Sequence, residues 1–195
     1  MRVSIAYPAA LALALLLPVR PVEAQAPLGF GAGYVINAPQ QMAGVGVHLL
    51  IPGLYGFGLY LDAKFDPLSD TRDGVLLPGV THHEAENVFF DEYFRDESRW
   101  QSFNAALLYS VTEELRLYAG AGLTHRDAFT EYWDETHQRG ELGYYWIEDP
   151  ANTGNRVNVL GGAFLRMGRG VYTQFGVESA PRGFTLGLTL SFPRI

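Results

Sequence analysis

The sequence predicts an all-β fold, an eight-stranded antiparallel up-and-down β-barrel that spans a membrane. Three observations predict it: apolar residues recur at every second position in eight segments, those apolar faces carry no charge, and long connections alternate with short ones. A two-residue period is that of a β-strand whose two faces meet different surroundings. Closure into a barrel leaves no unpaired strand edge in hydrocarbon.

The composition excludes several classes of protein. The 195 residues include no cysteine, so neither a disulfide framework nor a cysteine-ligated metal site is available. Acidic residues outnumber basic residues by 21 to 14, for a formal charge of −7, and Lys64 is the only lysine. A nucleic-acid-binding surface needs a basic stripe to neutralise phosphates, so no nucleic-acid partner is expected.

Residues 1–24 are expected to be a cleaved signal peptide. Arg2 precedes an apolar stretch at residues 5–17, and Val22-Glu23-Ala24 provides small residues at the positions that a signal peptidase recognises. The apolar stretch is too short to cross a membrane as a helix, which needs roughly 20 residues. The mature chain is then a single barrel domain, residues 25–195.

The alternation of apolar and polar residues is clearest in residues 55–65 and 184–192. In the second of these segments, every other residue from Phe184 to Phe192 is Phe or Leu, and the residues between them are Thr, Gly or Ser. The same pattern along the chain predicts eight strands: 28–37, 43–51, 55–65, 100–109, 115–126, 157–167, 171–178 and 184–192.

The two faces of these strands indicate which solvent each one meets. A soluble barrel would place the large apolar residues inside, but eight strands enclose a space only just wide enough for side chains. Its exterior would also be about a quarter to a third charged, far more than these faces provide. The apolar face is therefore expected to meet lipid, and the glycine-rich polar face to fill the lumen. Six charged residues are expected there: Asp62, Lys64, Arg116, Arg126, Arg166 and Glu178.

The connections between the strands fit the same arrangement. Residues 66–99 and 127–156 are long, and both fall on one side, which in membrane barrels is the extracellular side. The short connections 52–54, 112–114 and 168–170 are expected on the periplasmic side. Aromatic residues at the strand ends are expected to form girdles, with Tyr55, Tyr109 and Phe192 at the periplasmic rim and Phe65, Phe103 and Phe184 at the outer rim.

The last strand resembles the β-signal of bacterial outer-membrane proteins. It has the polar Thr185, then Gly187, then Leu190 and the aromatic Phe192 at the spacing of that signal, with Pro193-Arg194-Ile195 following. The mature chain is similar to the small eight-stranded barrels of the OmpA/OmpX-like kind. That resemblance implies a monomer in the outer membrane of a Gram-negative bacterium. It also implies the barrel-assembly machinery, membrane lipid and lipopolysaccharide as partners.

The function is expected to lie in the two long loops, in a structural or surface-interaction role with an unknown extracellular partner. Nine acidic residues lie in 66–99 and seven in 127–156, and aromatic residues are interleaved with them. These rings either pack the loops against each other or form a binding surface, since interfaces concentrate aromatic residues. A narrow solute channel is an alternative, although eight strands favour a packed lumen of paired charges.

An enzyme acting on lipid A is the other alternative. Barrels that resemble the lipid A deacylases carry a His and a Ser two residues apart on the lipid face. Here His125 lies on that face, but Asp127 occupies the position where a hydroxyl nucleophile is needed. No catalytic site is therefore expected.

The loops also contain candidate metal ligands. His82 and His83 precede two glutamates, and Glu131, Asp134 and His137 are spaced as on successive turns of a helix, a pattern suited to a transition metal. The excess of carboxylates beside anionic lipopolysaccharide predicts a weak association with Ca²⁺ or Mg²⁺ that orders both loops. No other cofactor is expected.

Overall fold

A computed structural model of the chain describes residues 29–51, 54, 56–66, 74–139 and 142–192. The expected signal peptide and Tyr55 lie outside the described residues. Within these ranges the chain forms ten strands and a short helix, α1 (His82–Asn87). The strands are β1 (Gly29–Ala38), β2 (Met42–Leu50), β3 (Phe57–Phe65), β4 (Val75–Leu76), β5 (Glu92–Ser110), β6 (Leu115–Trp133), β7 (Tyr144–Glu148), β8 (Gly154–Gly168), β9 (Val171–Ser179) and β10 (Arg182–Phe192).

Eight of the strands form a closed antiparallel barrel, which confirms the predicted fold. Their order around the barrel is β1, β2, β3, β5, β6, β8, β9, β10, and each pairs with the next. The first and last strands close the ring along nine residue pairs from Phe30↔Phe192 to Ala38↔Phe184. Within the described residues, no helix has the length and apolar character needed to cross a membrane.

The outer surface of the barrel is apolar, as the alternation predicted. On β10 the side chains of Leu186, Leu188 and Leu190 are 42–55% exposed, whereas those of Thr185 and Thr189 between them are buried in the lumen. At the strand ends, Phe65 packs edge-to-face on Phe103 with ring centroids 5.5 Å apart. At the opposite rim Tyr109 contacts Phe57 at 4.8 Å. Phe184 and Phe192 are the exposed apolar residues at the two ends of β10.

The two segments predicted as long loops contain regular structure, so that part of the prediction is wrong. Strand β5 begins eight residues before the expected Trp100, at Glu92, and β6 continues beyond residue 126 to Trp133. Residues 92–99 are mostly charged and have no apolar alternation, which is why their strand character was missed. They are held as a strand by pairing with the aromatic end of β6.

These extensions build a second sheet on the side of the long connections. We call it the outer sheet: β4, β7, residues 92–99 of β5 and residues 127–133 of β6. β7 pairs antiparallel with β6, and β4 pairs in parallel with β7. Helix α1 packs against it through Ala85, and a capping box between Thr81 and Glu84 fixes the start of the helix.

Candidate functional site

The outer part of the lumen holds a buried network around a lysine. The ammonium group of Lys64 donates to Asp62 at 2.5 Å and to Glu178 at 2.6 Å, and all three side chains are almost inaccessible to solvent. Glu178 also accepts hydrogen bonds from Thr185 at 2.8 Å and from Asn158 at 3.3 Å. The network is therefore a hydrogen-bonded core inside the barrel.

The middle of the lumen is filled by aromatic rings. The ring of Phe164 lies 5.3 Å from those of Tyr60 and Tyr118, centroid to centroid. The side-chain amide of Gln174 donates to both tyrosine hydroxyls, at 2.8 and 3.0 Å. A Cβ added at Gly176 would overlap the hydroxyl of Tyr118, so the lumenal glycines make room for these rings.

The structure divides the six charged residues predicted for the lumen into separate groups. Only Asp62, Lys64 and Glu178 contact one another. Arg116 donates to Tyr172 at 2.7 Å and lies 2.9 Å from a ring nitrogen of His48, closer to the end of the barrel with the short turns. The other two lie at opposite ends: Arg166 is 3.6 Å from Glu113 at the rim with the short turns, and Arg126 donates to Ser98 at the mouth next to the outer sheet.

The residues of the β-signal resemblance divide between the two faces of β10. Thr185 is buried and bonded to Glu178, and Gly187 lies beside Gln174. Leu190 and Phe192 are more than half exposed on the outer surface. The strand thus presents an apolar face to lipid, while Thr185 on its other face joins the lumen network.

One face of the outer sheet carries a tyrosine-rich core under α1. Tyr132 and Tyr145 are fully buried and stack with centroids 5.9 Å apart, next to Ile147 and Ala85. The hydroxyl of Tyr132 donates to Glu86 at 3.0 Å, and that of Tyr145 donates to Asp91 at 2.7 Å. Burial and the adjacent carboxylates raise the pKa of both tyrosines, so both stay protonated donors at neutral pH.

The opposite face of the outer sheet is a second aromatic layer crossed by an ion pair. Arg95 donates to Glu131 at 2.7 Å, and its guanidinium lies 5.3 Å above the ring of Trp146. Tyr144 contacts Trp133 at 4.4 Å and Phe94 at 5.1 Å, centroid to centroid. Many of the loop aromatics therefore pack within the sheet. The short apolar run of residues 144–147 is the sequence signal for this core.

The candidate metal ligands on β6 do not lie on a helix. Glu131 is in the strand and pairs with Arg95, whereas His137 has a positive φ of 52° and contacts the ring of Trp133. Asp134 accepts hydrogen bonds within its own turn, from Thr136 and from the backbone N–H groups of residues 136, 138 and 139. Burial opposes its ionisation, but these hydrogen bonds outweigh burial and lower the pKa of Asp134 to about 2. The expected helical spacing is wrong because the strand extends to Trp133.

The histidines of α1 also have other partners. A ring nitrogen of His82 lies 3.0 Å from the Tyr132 hydroxyl, and one of His83 lies 3.2 Å from the side-chain nitrogen of Asn87. Among the described residues, no group of three His, Asp or Glu side chains is arranged to hold a metal ion. Weak association of Ca²⁺ or Mg²⁺ with this acidic surface stays a prediction, which calorimetry at millimolar cation would test.

His125 has both ring nitrogens engaged at the outer rim. One lies 2.9 Å from the side-chain oxygen of Asn155 and the other 2.9 Å from a carboxylate oxygen of Asp127. A general base needs a free nitrogen within reach of the hydroxyl that it activates. His125 is therefore held at the rim by Asn155 and Asp127, and its contacts are not those of a general base.

The closed barrel, its apolar exterior and the charged and hydrogen-bonded groups of its lumen define the chain as a small membrane-spanning β-barrel protein. The sequence matches no protein-family model and no curated protein.

Several solved outer-membrane barrels are similar in structure. The attachment invasion locus protein Ail of Yersinia pestis is 12% identical with a TM-score of 0.47, and the match covers 86% of this chain and 99% of Ail. The N-terminal β-barrel domain of Pseudomonas aeruginosa OprF is 13% identical with a TM-score of 0.40, over 86% and 98% of the two chains. A major outer membrane protein of Thermus thermophilus is 13% identical with a TM-score of 0.43, over 85% and 98%. At these identities the likeness concerns the fold alone.

Proposed function

We propose that this chain is a non-enzymatic outer-membrane barrel that presents the outer sheet at the cell surface for contact with an extracellular partner. The length of β5 and β6 supports this proposal most directly. Each strand has 19 residues, whereas a tilted strand needs about 9–11 to cross the hydrocarbon. The remainder of both strands builds a folded sheet with its own core, continuous with two strands of the barrel wall.

The lumen argues against the channel alternative. Tyr60, Phe164 and Lys64 are at most 1% exposed, and buried partners surround each of them. A water path along the barrel would require these side chains to move out of a hydrogen-bonded, close-packed interior. Discrete conductance steps from the purified protein in a planar bilayer would contradict the proposal.

The contacts of His125 argue against the lipid-modifying alternative, because both ring nitrogens bond to groups other than a hydroxyl. The direct check is ester hydrolysis with purified lipid A. We expect no turnover above the background. Turnover that His125→Ala abolishes would make the protein an enzyme of the outer leaflet.

Cysteine labelling tests the surface position of the outer sheet, since the native chain has no cysteine. Asn87→Cys places an exposed thiol at the end of α1, and Arg169→Cys places one in the short turn between β8 and β9. A membrane-impermeant maleimide should label Asn87→Cys on intact cells. It should label Arg169→Cys only after the outer membrane is permeabilised. The reverse pattern would place the outer sheet in the periplasm and remove the basis of the proposal.

A further inference from the structure

Two arginines lie close to one tryptophan at the outer mouth of the barrel. The guanidinium carbon of Arg126 lies 5.3 Å from the ring centroid of Trp100, and that of Arg156 lies 5.9 Å from it. Trp100 on β5 is paired with Arg126 on β6, and Arg156 on β8 lies opposite Thr124. Three neighbouring strands thus bring these three side chains together.

The cluster lies at the upper end of the lumen. Two residue pairs further in, on the same face, the side chains of Ser102 and Thr124 are completely buried. Trp100 and Arg126 are half-buried, and Arg156 is exposed. The two guanidinium groups are therefore open to a ligand that approaches from outside the cell.

Neither arginine pairs with a carboxylate in the described part of the chain, although acidic residues surround this end of the molecule. Arg95 and Arg139, in the outer sheet and the turn beside it, do pair with carboxylates. Asp96, on the same face of β5 as Trp100, accepts instead from the hydroxyl of Thr130 at 2.9 Å. Among the described residues, the mouth thus holds two arginines that form no ion pair, in a protein of formal charge −7.

The guanidinium group of Arg126 is held in place by Nε, which leaves its terminal nitrogens free to bind a ligand. Ser98 accepts a hydrogen bond from Nε of Arg126 at 2.9 Å. Together with the ring of Trp100, this hydrogen bond fixes the plane of the guanidinium group, and its two terminal nitrogens stay available. Planar guanidinium groups bind the oxygens of phosphate and sulfate in pairs of hydrogen bonds. A pair of fixed guanidinium groups beside a half-buried ring is suited to an oxyanion carried on a larger molecule.

We propose that Arg126, Arg156 and Trp100 form a binding site for a phosphate- or sulfate-class oxyanion at the outer mouth of the barrel. The oxyanion is either part of a soluble ligand or part of the headgroup of an outer-leaflet lipid. This proposal does not rest on the role proposed for the outer sheet, because it is argued from the contacts of Arg126, Arg156 and Trp100 and from no partner of that sheet.

The test uses the indole N–H signal of Trp100 in the NMR spectrum of the protein in phosphatidylcholine nanodiscs. The signal is assigned with Trp100→Phe. Titration with inorganic pyrophosphate at constant ionic strength should give a saturable shift if the soluble anion binds. A second sample, in nanodiscs that contain purified lipid A, should show the shifted signal without added anion if the lipid headgroup binds. The absence of a shift in both samples would overturn the proposal.

Matched variants separate a specific site from general charge. Arg126→Gln and Arg156→Gln should each raise the half-saturating concentration about tenfold or more, the effect of losing a charge-assisted hydrogen-bonding group. Arg182→Gln, an exposed arginine on the same side of the barrel, should change it less than about twofold. Equal weakening by all three substitutions would mean non-specific attraction and would contradict the proposal. Since Arg156 is exposed, Arg156→Gln keeps the test decisive if Arg126→Gln fails to fold.

Discussion

The barrel and the outer sheet share two strands but distribute polar and apolar side chains differently. In the barrel, the lumen-side face of β5 and β6 next to the outer sheet is polar, with Ser102, Asn104 and Thr124 buried, and the outward face carries Phe103 and Leu123. Above residue 126 the lumen-side face holds the Tyr132 core, and the outward face carries the ion pair of Arg95 and Glu131. The side chains keep their alternation while the arrangement of polar and apolar groups changes.

This change marks where the solvent changes along a continuous strand. The outward face is uniformly apolar where lipid surrounds the barrel, whereas above residue 126 it carries the charged pair of Arg95 and Glu131 among aromatic rings. Strands β5 and β6 therefore have a residue pattern suited to lipid along the barrel and one suited to water along the outer sheet. Substitutions that act on only one of the two regions test this division.

The largest effect is expected from the buried lysine of the barrel. Lys64→Met leaves the carboxylates of Asp62 and Glu178 buried without their cation, and should lower the free energy of unfolding by about 3–5 kcal/mol. Urea titration of the refolded barrel measures the change. A triple variant that adds Asp62→Asn and Glu178→Gln should recover most of the loss. If Lys64→Met alone unfolds like the native protein, the lumen network does not stabilise the barrel.

A comparable but local effect is expected in the outer sheet. Tyr132→Ala removes a fully buried ring from its core and should destabilise the sheet by about 3 kcal/mol without unfolding the barrel. Limited proteolysis should then cut within residues 74–99 and 127–153, while the heat-dependent gel shift of the closed barrel persists. Tyr132→Phe, which removes only the hydroxyl, should cost about 1 kcal/mol. A loss of barrel folding in Tyr132→Ala would show that the two regions are not separable.

A matched pair of arginine substitutions compares the two solvents directly. Leu188 is 55% exposed on the middle of β10, and Leu188→Arg should destabilise the barrel by about 2–4 kcal/mol because the side chain faces lipid. Leu142 is 62% exposed next to the outer sheet, and Leu142→Arg should change stability by less than about 0.5 kcal/mol. Refolding into bilayers measures both. Equal effects at the two positions would contradict the assigned membrane boundary.

The smallest expected effect is a loss of stability at low pH in the turn that follows β6, next to the outer sheet. Asp134 has a pKa of about 2 in the folded chain, below its ordinary value of 3.8, so ionisation stabilises the turn after β6. That stabilisation is complete above about pH 4 and is lost as the pH falls toward 2. The amide signals of Thr136, Gln138 and Arg139 should report the change. In Asp134→Asn this step should disappear, and an unchanged acid transition in that variant would assign it to another group.

The barrel was predictable from the sequence, and the outer sheet was not. Alternation on β10 and β3 shows directly which face meets lipid, because lipid requires every outward residue to be apolar. Residues 92–99 contain only charged, polar and aromatic side chains in no regular order, and their strand structure depends on pairing with residues 127–133. Such tertiary contacts override local preference and leave no period in the sequence.

The charged residues of the lumen also show how far the sequence could predict the structure. The alternation places Lys64, Arg116 and Arg126 on the lumen side, but it contains no information about their depth. Depth follows from the register between strands, which brings Asp62 next to Asn104 and leaves Arg126 beside Trp100. The cluster at the mouth therefore became visible only from the paired strands.

Amide hydrogen exchange of the nanodisc-embedded protein tests the central claim most directly, namely that β5 and β6 continue beyond the membrane as a folded sheet. Residues 129–133 of β6 lie between β5 and β7, so their amides should exchange far more slowly than those of the exposed turn at 151–153. Exchange of residues 129–133 at the rate of that turn, with the barrel amides still protected, would contradict the account.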